Sequence, residues 1–149
     1  MSSSKKKNDE NEVIDWEAAL EQCAGDEEFL QELLQDLSME TSGHFQTIQK
    51  AVDSLTPEDT AGDEADAIRR AAHSIKGASA NLMCNKLRDA AQFLEKTGMQ
   101  GVSGEIEGES FIELVTEGLA TLQSEVKAFE EELAERGRSE ERRVGKECR

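Results

Sequence analysis

Tyrosine is absent from this sequence, and proline occurs once, at Pro57. Aromatic residues make up only 4% of the chain. Strand formers are sparse, whereas Ala, Glu, Leu, Gln and Lys abound, a bias towards helix. No apolar run approaches the roughly 20 residues that a bilayer-spanning helix needs. The start, Met1-Ser2-Ser3-Ser4-Lys5-Lys6-Lys7, is polar and opens no signal-peptide core. The expectation is therefore a soluble, cytoplasmic protein, with nuclear entry left open should the source be eukaryotic. Cysteine is scarce and odd in number: Cys23, Cys84 and Cys148 form no CxxC pair, so neither a disulfide framework nor a zinc site is indicated. Basic charge is in deficit as well. A net charge of -16 argues against nucleic acid or an anionic membrane as the main partner.

Two kinds of chemistry are missing. There is no GxxxxGK phosphate loop and no kinase signature, so ATP binding or hydrolysis is not expected. Nor is there a nucleophilic serine or cysteine motif. His44 has no ligand pattern around it that a solvated helix face would not also supply, so no metal is expected. Met39, Met83 and Met99 are expected as fillers of core or loop.

Leu, Ile, Val and Phe together make 30 of the 149 residues. That is about the 20% level below which a highly charged chain tends to stay unfolded. Composition alone leaves folding open, and periodicity decides it. Asp15 can cap a first short helix with the apolar face Trp16, Ala19, Leu20 and Cys23, stopped at Gly25. A second helix is expected over about 26–55, with Leu30, Leu34, Leu37, Phe45, Ile48, Val52 and Leu55 as its stripe and one turn skipped at Thr41. Thr56-Pro57 ends it. A third covers about 63–82 on Ile68, Ala72, Ile75, Ser79 and Leu82. A fourth covers about 85–97 on Leu87, Ala90, Ala91 and Leu94, followed by a flexible link of Gly98, Gly101, Gly104 and Gly108. The last, over about 109–135, carries Phe111, Val115, Leu119, Leu122, Val126, Phe129 and Leu133. The fold class expected is all-α: an antiparallel four-helix bundle with a short N-terminal helix across one end. Residues 1–12 are expected to be disordered, 13–135 to form the domain, and 136–149 to be a disordered basic tail resembling vector-derived sequence, with six basic residues in fourteen.

The segment Ala71-Ala72-His73-Ser74-Ile75-Lys76-Gly77-Ala78-Ser79-Ala80-Asn81-Leu82 carries the chemistry. At about 100° per residue the apolar stripe of its helix lies roughly 100–180° away from His73. The imidazole is thus expected to face solvent, with Arg69, Arg70, Lys76, Gly77 and Ala80 around it. An exposed imidazole offers a neutral, nucleophilic nitrogen near neutral pH. Lys76 can offset the charge of a phosphoryl group. A glycine inside a helix costs about 1 kcal/mol relative to alanine, so Gly77 asks for a reason, and room for a partner's backbone is one.

His73-Ser74-Ile75-Lys76-Gly77-Ala78-Ser79-Ala80-Asn81 resembles the signature of histidine phosphotransfer domains: His, any residue, apolar, Lys, Gly, then small residues. Asp15-Trp16-Glu17-Ala18-Ala19-Leu20, Gly25-Asp26 and Phe29-Leu30-Gln31-Glu32-Leu33-Leu34 are similar to that family's opening helices. Leu87 and Ala90-Ala91-Gln92-Phe93-Leu94-Glu95 are similar to the helix packed beside the active one. The resemblance covers about residues 13–133. It implies a phosphorelay carrier without kinase or ATPase activity of its own. His73 would be the phosphoacceptor, Lys76 the support for the phosphoryl charge, and Gly77 the clearance for a receiver domain. Glu95 would be a weaker candidate for a polar neighbour of the histidine, and Arg69, Arg70 and Ala80 would form the rim that meets the partner. The implied partners are the receiver domains of a hybrid histidine kinase and of a response regulator. The implied carrier is a monomer with no cofactor of its own, the Mg²⁺ residing in the receiver. The initiating Met1 and polar start are those expected of a free-standing protein rather than a piece of a hybrid kinase. The competing reading is a helical adaptor that binds a partner through a bundle face without chemistry. One departure from the family pattern concerns the turn after the third helix: Met83 stands where the family has glycine, and Asn81 or Asn85 is expected to supply a left-handed cap instead.

Overall fold

The computed structural model describes residues 13–60 and 62–147. Its elements are α1 (Trp16–Gln22), α2 (Glu27–Ser54), α3 (Asp63–Asn81), α4 (Asn85–Ser103) and α5 (Gly108–Glu147), with no strand among the described residues. Helices α2 to α5 form the bundle. Each packs on its neighbours in sequence, and α2 closes the ring against α5. The apolar stripes meet in one core whose largest fully buried side chains include Phe111, Phe129, Leu30, Ile48, Ile68, Ile75, Leu87 and Leu122.

Local chemistry explains the boundaries. Asp15 caps α1 by accepting from the Ala18 amide, and Asp26 caps α2 by accepting from the Phe29 amide. Ile14, ahead of the first cap, is fully buried, and the Asp15 amide donates to the Met83 carbonyl at 3.0 Å. That bond ties α1 to the α3–α4 turn. The Trp16 indole N–H donates to Glu132 at 2.7 Å, which ties it to α5. Past Pro57, the α2–α3 link is pinned by the Thr60 hydroxyl, which accepts from the Gly108 amide at 2.8 Å.

Several expectations need correction. The glycines after Thr97 are not a flexible link as a group, because α4 runs on through Ser103. A Cβ on Gly98 would lie 2.9 Å from the Arg69 backbone nitrogen, and one on Gly101 would collide with the Phe111 ring. These glycines let α3 and the start of α5 approach α4 closely, a packing role that overrides their low helix propensity. Only at Gly104, with φ of 81°, does the left-handed cap appear. The cap after α3 is likewise Met83 itself, at φ of 60°, rather than Asn81 or Asn85. The Cys84 amide bonds back to the Ser79 carbonyl and the Met83 amide to the Ala80 carbonyl. That pair is the bonding of a Schellman turn, normally closed by glycine.

Thr41, the position of the expected skipped turn in the α2 stripe, is buried, and its hydroxyl has no partner among the described residues. Met39 and Met99 lie exposed on helices and fill neither core nor loop, whereas Met83, the third of the expected fillers, packs against the core. The backbone of α5 stays helical to Glu147, where a disordered tail was expected from residue 136. The Arg-, Glu- and Lys-rich composition there has good helix propensity and no proline. Arg136 in particular belongs to the fold: its guanidinium stacks 4.5 Å over the Trp16 ring and bonds Glu27 at 2.8 Å. The segment 1–12, expected to be disordered, lies outside the described residues.

Candidate functional site

His73 sits in the middle of α3, on the face away from Ala72 and Ile75, both buried. Its side chain is 65% exposed. Across the groove between α3 and α4, Glu95 comes up from the middle of α4 and is only 14% exposed. One of its oxygens lies 2.7 Å from the His73 Nδ1. The other lies 2.7 Å from the Lys76 Nζ. A single carboxylate therefore holds two residues of α3 that are one turn apart.

The charge state of Glu95 follows from competing influences. Partial burial pushes its pKa up, but the hydrogen bonds from Lys76 and His73, with their charges, outweigh it and hold the carboxyl below its ordinary value. An ionised carboxylate can only accept, so the hydrogen of the neutral imidazole is assigned to Nδ1. The lone pair is then on Nε2, which makes no hydrogen bond within the described residues. The site presents a nucleophilic nitrogen to solvent and fixes the other one inside.

Gly77 is one turn beyond His73 on the same exposed side, and a Cβ there would meet nothing within 4 Å. This contrasts with Gly98 and Gly101, whose glycines are required by packing within the chain. No contact among the described residues demands a glycine at 77, so its cost to the helix has no offset there. Arg69 and Arg70, the turn before His73, share Asp66: Arg69 bonds one oxygen at 2.7 Å, and Arg70 faces the other at 3.1 Å. Those hydrogen bonds and charges, that of Arg69 foremost, hold the Asp66 carboxyl below its ordinary range. Ala80 lies one turn past Gly77, half-buried. The structure thus brings His73, Lys76 and Glu95 into direct contact and places Gly77, Arg70 and Ala80 along the same stretch of α3. Arg69 lies against α4 where Gly98 approaches its backbone.

A family model described as the Hpt domain matches residues 32–132. The chain belongs to the Hpt domain family. Hpt domains are helical bundles that carry out histidine phosphotransfer in phosphorelay signalling, interact with receiver domains, and are carriers rather than kinases. The matched span opens inside α2 and closes inside α5, so it contains α3 and α4 whole and the His73–Glu95–Lys76 contact with them. A comparison with curated proteins gives no match.

Asp66, the shared partner of Arg69 and Arg70, is a neighbour of the site that reading the sequence missed. Its spacing of three and four residues from the two arginines was the available signal. Among the described residues no group of three or more His, Cys, Asp or Glu side chains is placed to hold a metal. No described helix is long and apolar enough to cross a membrane. The Cys84 thiol is fully buried, and burial pushes its pKa up to about 12, which removes it as a nucleophile at neutral pH.

Proposed function

We propose that this Hpt domain is a phosphorelay carrier in which His73 Nε2 accepts a phosphoryl group from a receiver-domain aspartate and passes it to a second receiver. The observation that carries the reading is the pair of contacts made by Glu95 on His73 Nδ1 and Lys76 Nζ, both at 2.7 Å. In the accepting step the Nε2 lone pair attacks phosphorus. The bond from phosphorus to the aspartyl oxygen breaks, and its electron pair returns to the partner's carboxylate. The imidazole keeps its Nδ1 hydrogen and gains positive charge, which the Glu95 carboxylate faces. Lys76 offsets the charge of the phosphoryl oxygens. Gly77 leaves the approach to Nε2 free of side-chain bulk.

The partner receiver would contribute the acyl phosphate and its Mg²⁺. This chain would hold no cofactor and bring only the acceptor and its charged surroundings, because in-line phosphoryl transfer depends on positioning and electrostatics. The upstream receiver would belong to a hybrid histidine kinase and the downstream one to a response regulator. The carrier would act as a monomer in the cytoplasm. Receiver domains charged with acetyl phosphate and Mg²⁺ test this. Mixed with this protein, at least one should yield an acid-labile, base-stable phosphate on it. A protein that binds charged receivers and acquires no such phosphate is an adaptor instead.

A further inference from the structure

We propose that Arg70 is a second cationic contact for the phosphoryl group on His73, presented by Asp66, so that the phosphoryl group lies between Arg70 and Lys76. The proposal rests on the reading of His73 as the phosphorylated residue. Arg70 and Lys76 stand three residues before and three after His73, so on α3 they flank the imidazole one turn to either side. They differ in how they are engaged. Lys76 is 32% exposed and its ammonium is drawn inward onto Glu95. Arg70 is 68% exposed, and its one partner among the described residues is Asp66, reached through Nε at 3.1 Å. Both terminal nitrogens of the guanidinium, four N–H donors, are thus without a partner among the described residues, on a side chain one turn from the histidine. A planar fork of this kind matches two phosphoryl oxygens at once, which an ammonium cannot do.

Asp66 makes Arg70 more than a loose surface arginine. Its first oxygen takes the Nε and Nη2 of Arg69 at 3.0 and 2.7 Å, which fixes the carboxylate against α3. Its second oxygen is then left for the Nε of Arg70. The carboxylate stays ionised because these same cations depress its pKa. Holding Arg70 by Nε restrains the stem and keeps the outer fork free, so less freedom is lost when a phosphoryl group arrives. Asp66 is in this sense a positioning residue. The arrangement mirrors the other side of the histidine, where Glu95 holds Lys76.

The test uses potassium phosphoramidate as phosphoryl donor, which needs no partner protein. The Nε2–P bond forms as the P–N bond of the reagent breaks and ammonia leaves. Phosphorus NMR of the phosphorylated full chain then follows the titration of the phosphoryl group in the parent, Arg70→Ala, Arg70→Lys and Arg69→Ala. A unit positive charge at contact distance, screened by water, lowers such a titration by roughly half a pH unit. Arg70→Ala should raise it by about that much, Arg70→Lys by less, and Arg69→Ala by clearly less than Arg70→Ala. Thermal midpoints of the variants show that the fold is intact. An Arg70→Ala titration identical to the parent's overturns the proposal, and so does an equal shift in Arg69→Ala, which would mark a general field. If Arg70→Ala slows transfer from a receiver without moving the titration, Arg70 meets the partner protein and not the phosphoryl group. A parent protein that takes up no phosphoryl group at His73 overturns both this proposal and the carrier reading. Uptake with an unmoved Arg70→Ala titration overturns this proposal alone.

Discussion

Replacing Glu95 by Gln keeps the shape of the side chain and removes its charge. The amide oxygen can still accept from the His73 Nδ1, but it no longer faces the positive charge that the ring acquires as the Nε2–P bond forms. Two unit charges about 4 Å apart interact by about 1 kcal/mol in water and about 4 kcal/mol at an effective dielectric near 20. Glu95 is 14% exposed and His73 65% exposed, so the value belongs near the lower end. Discounted for that screening, the loss is about 1–1.5 kcal/mol, or roughly five- to twelve-fold in transfer rate. Rapid-quench transfer from a phosphorylated receiver measures it. The pH dependence of stability has a definite sign. The folded-state pKa of Glu95 lies below the ordinary 4.5, so its contribution is complete above that value and is lost as pH falls through the folded one. The stability gap between parent and Glu95→Gln should therefore persist above pH 4.5 and close as the pH falls below it. If Glu95→Gln transfers at the parental rate while remaining folded, Glu95 is a bystander and the argument from the Nδ1 contact is wrong.

The two kinds of helical glycine predict opposite stability changes. Gly77→Ala should raise stability by about 0.5–1 kcal/mol, because only helix propensity changes there, whereas Gly98→Ala should lower it by about 1–3 kcal/mol through the clash with the Arg69 backbone; denaturant titration reads both. Gly77→Leu should leave the fold intact while weakening receiver binding, measured by titration calorimetry. A chain ending at Arg136 should match the full protein's thermal midpoint closely, and one ending at residue 135 should lose about 0.5–1.5 kcal/mol with the Trp16 stacking and the Glu27 ion pair. Met83→Gly should relieve about 1 kcal/mol of left-handed strain but forfeit side-chain packing against the core, so its midpoint should stay near the parent's; a large loss would show that the Met83 side chain, not the turn, holds this corner.

The bundle was legible in the sequence because its information is local. The stripes from Leu30 to Leu55 and from Phe111 to Leu133 repeat at helical spacing, and Asp15 and Asp26 sit where a first turn needs a side-chain acceptor. The outward aim of His73 followed from the position of Ile68, Ala72 and Ile75 on the same helix. What was hidden depends on which helix lies opposite. Gly98 and Gly101 look like breakers until Arg69 and Phe111 are seen packed against them. Glu95 is 22 residues from His73, and no periodicity within one helix can show that its two oxygens reach both His73 and Lys76. Arg136 was set aside with its basic neighbours because the Trp16 ring that it covers is 120 residues earlier in the chain. Thr41 was misleading for another reason: a polar residue was read as a turn of the stripe left out, yet it is buried.

The most direct measurement is transfer from one phosphorylated receiver to the parent protein, to His73→Gln and to His44→Gln. His73 is exposed and His44 is half-buried outside the core, so thermal midpoints should agree to within about 0.5–1 kcal/mol. The parent and His44→Gln should take up acid-labile phosphate at the same rate, and His73→Gln, which lacks the nucleophilic nitrogen, should take up none. Phosphate accepted by His73→Gln at the parental rate would contradict the assignment of the phosphoacceptor and everything built on the Glu95 contact.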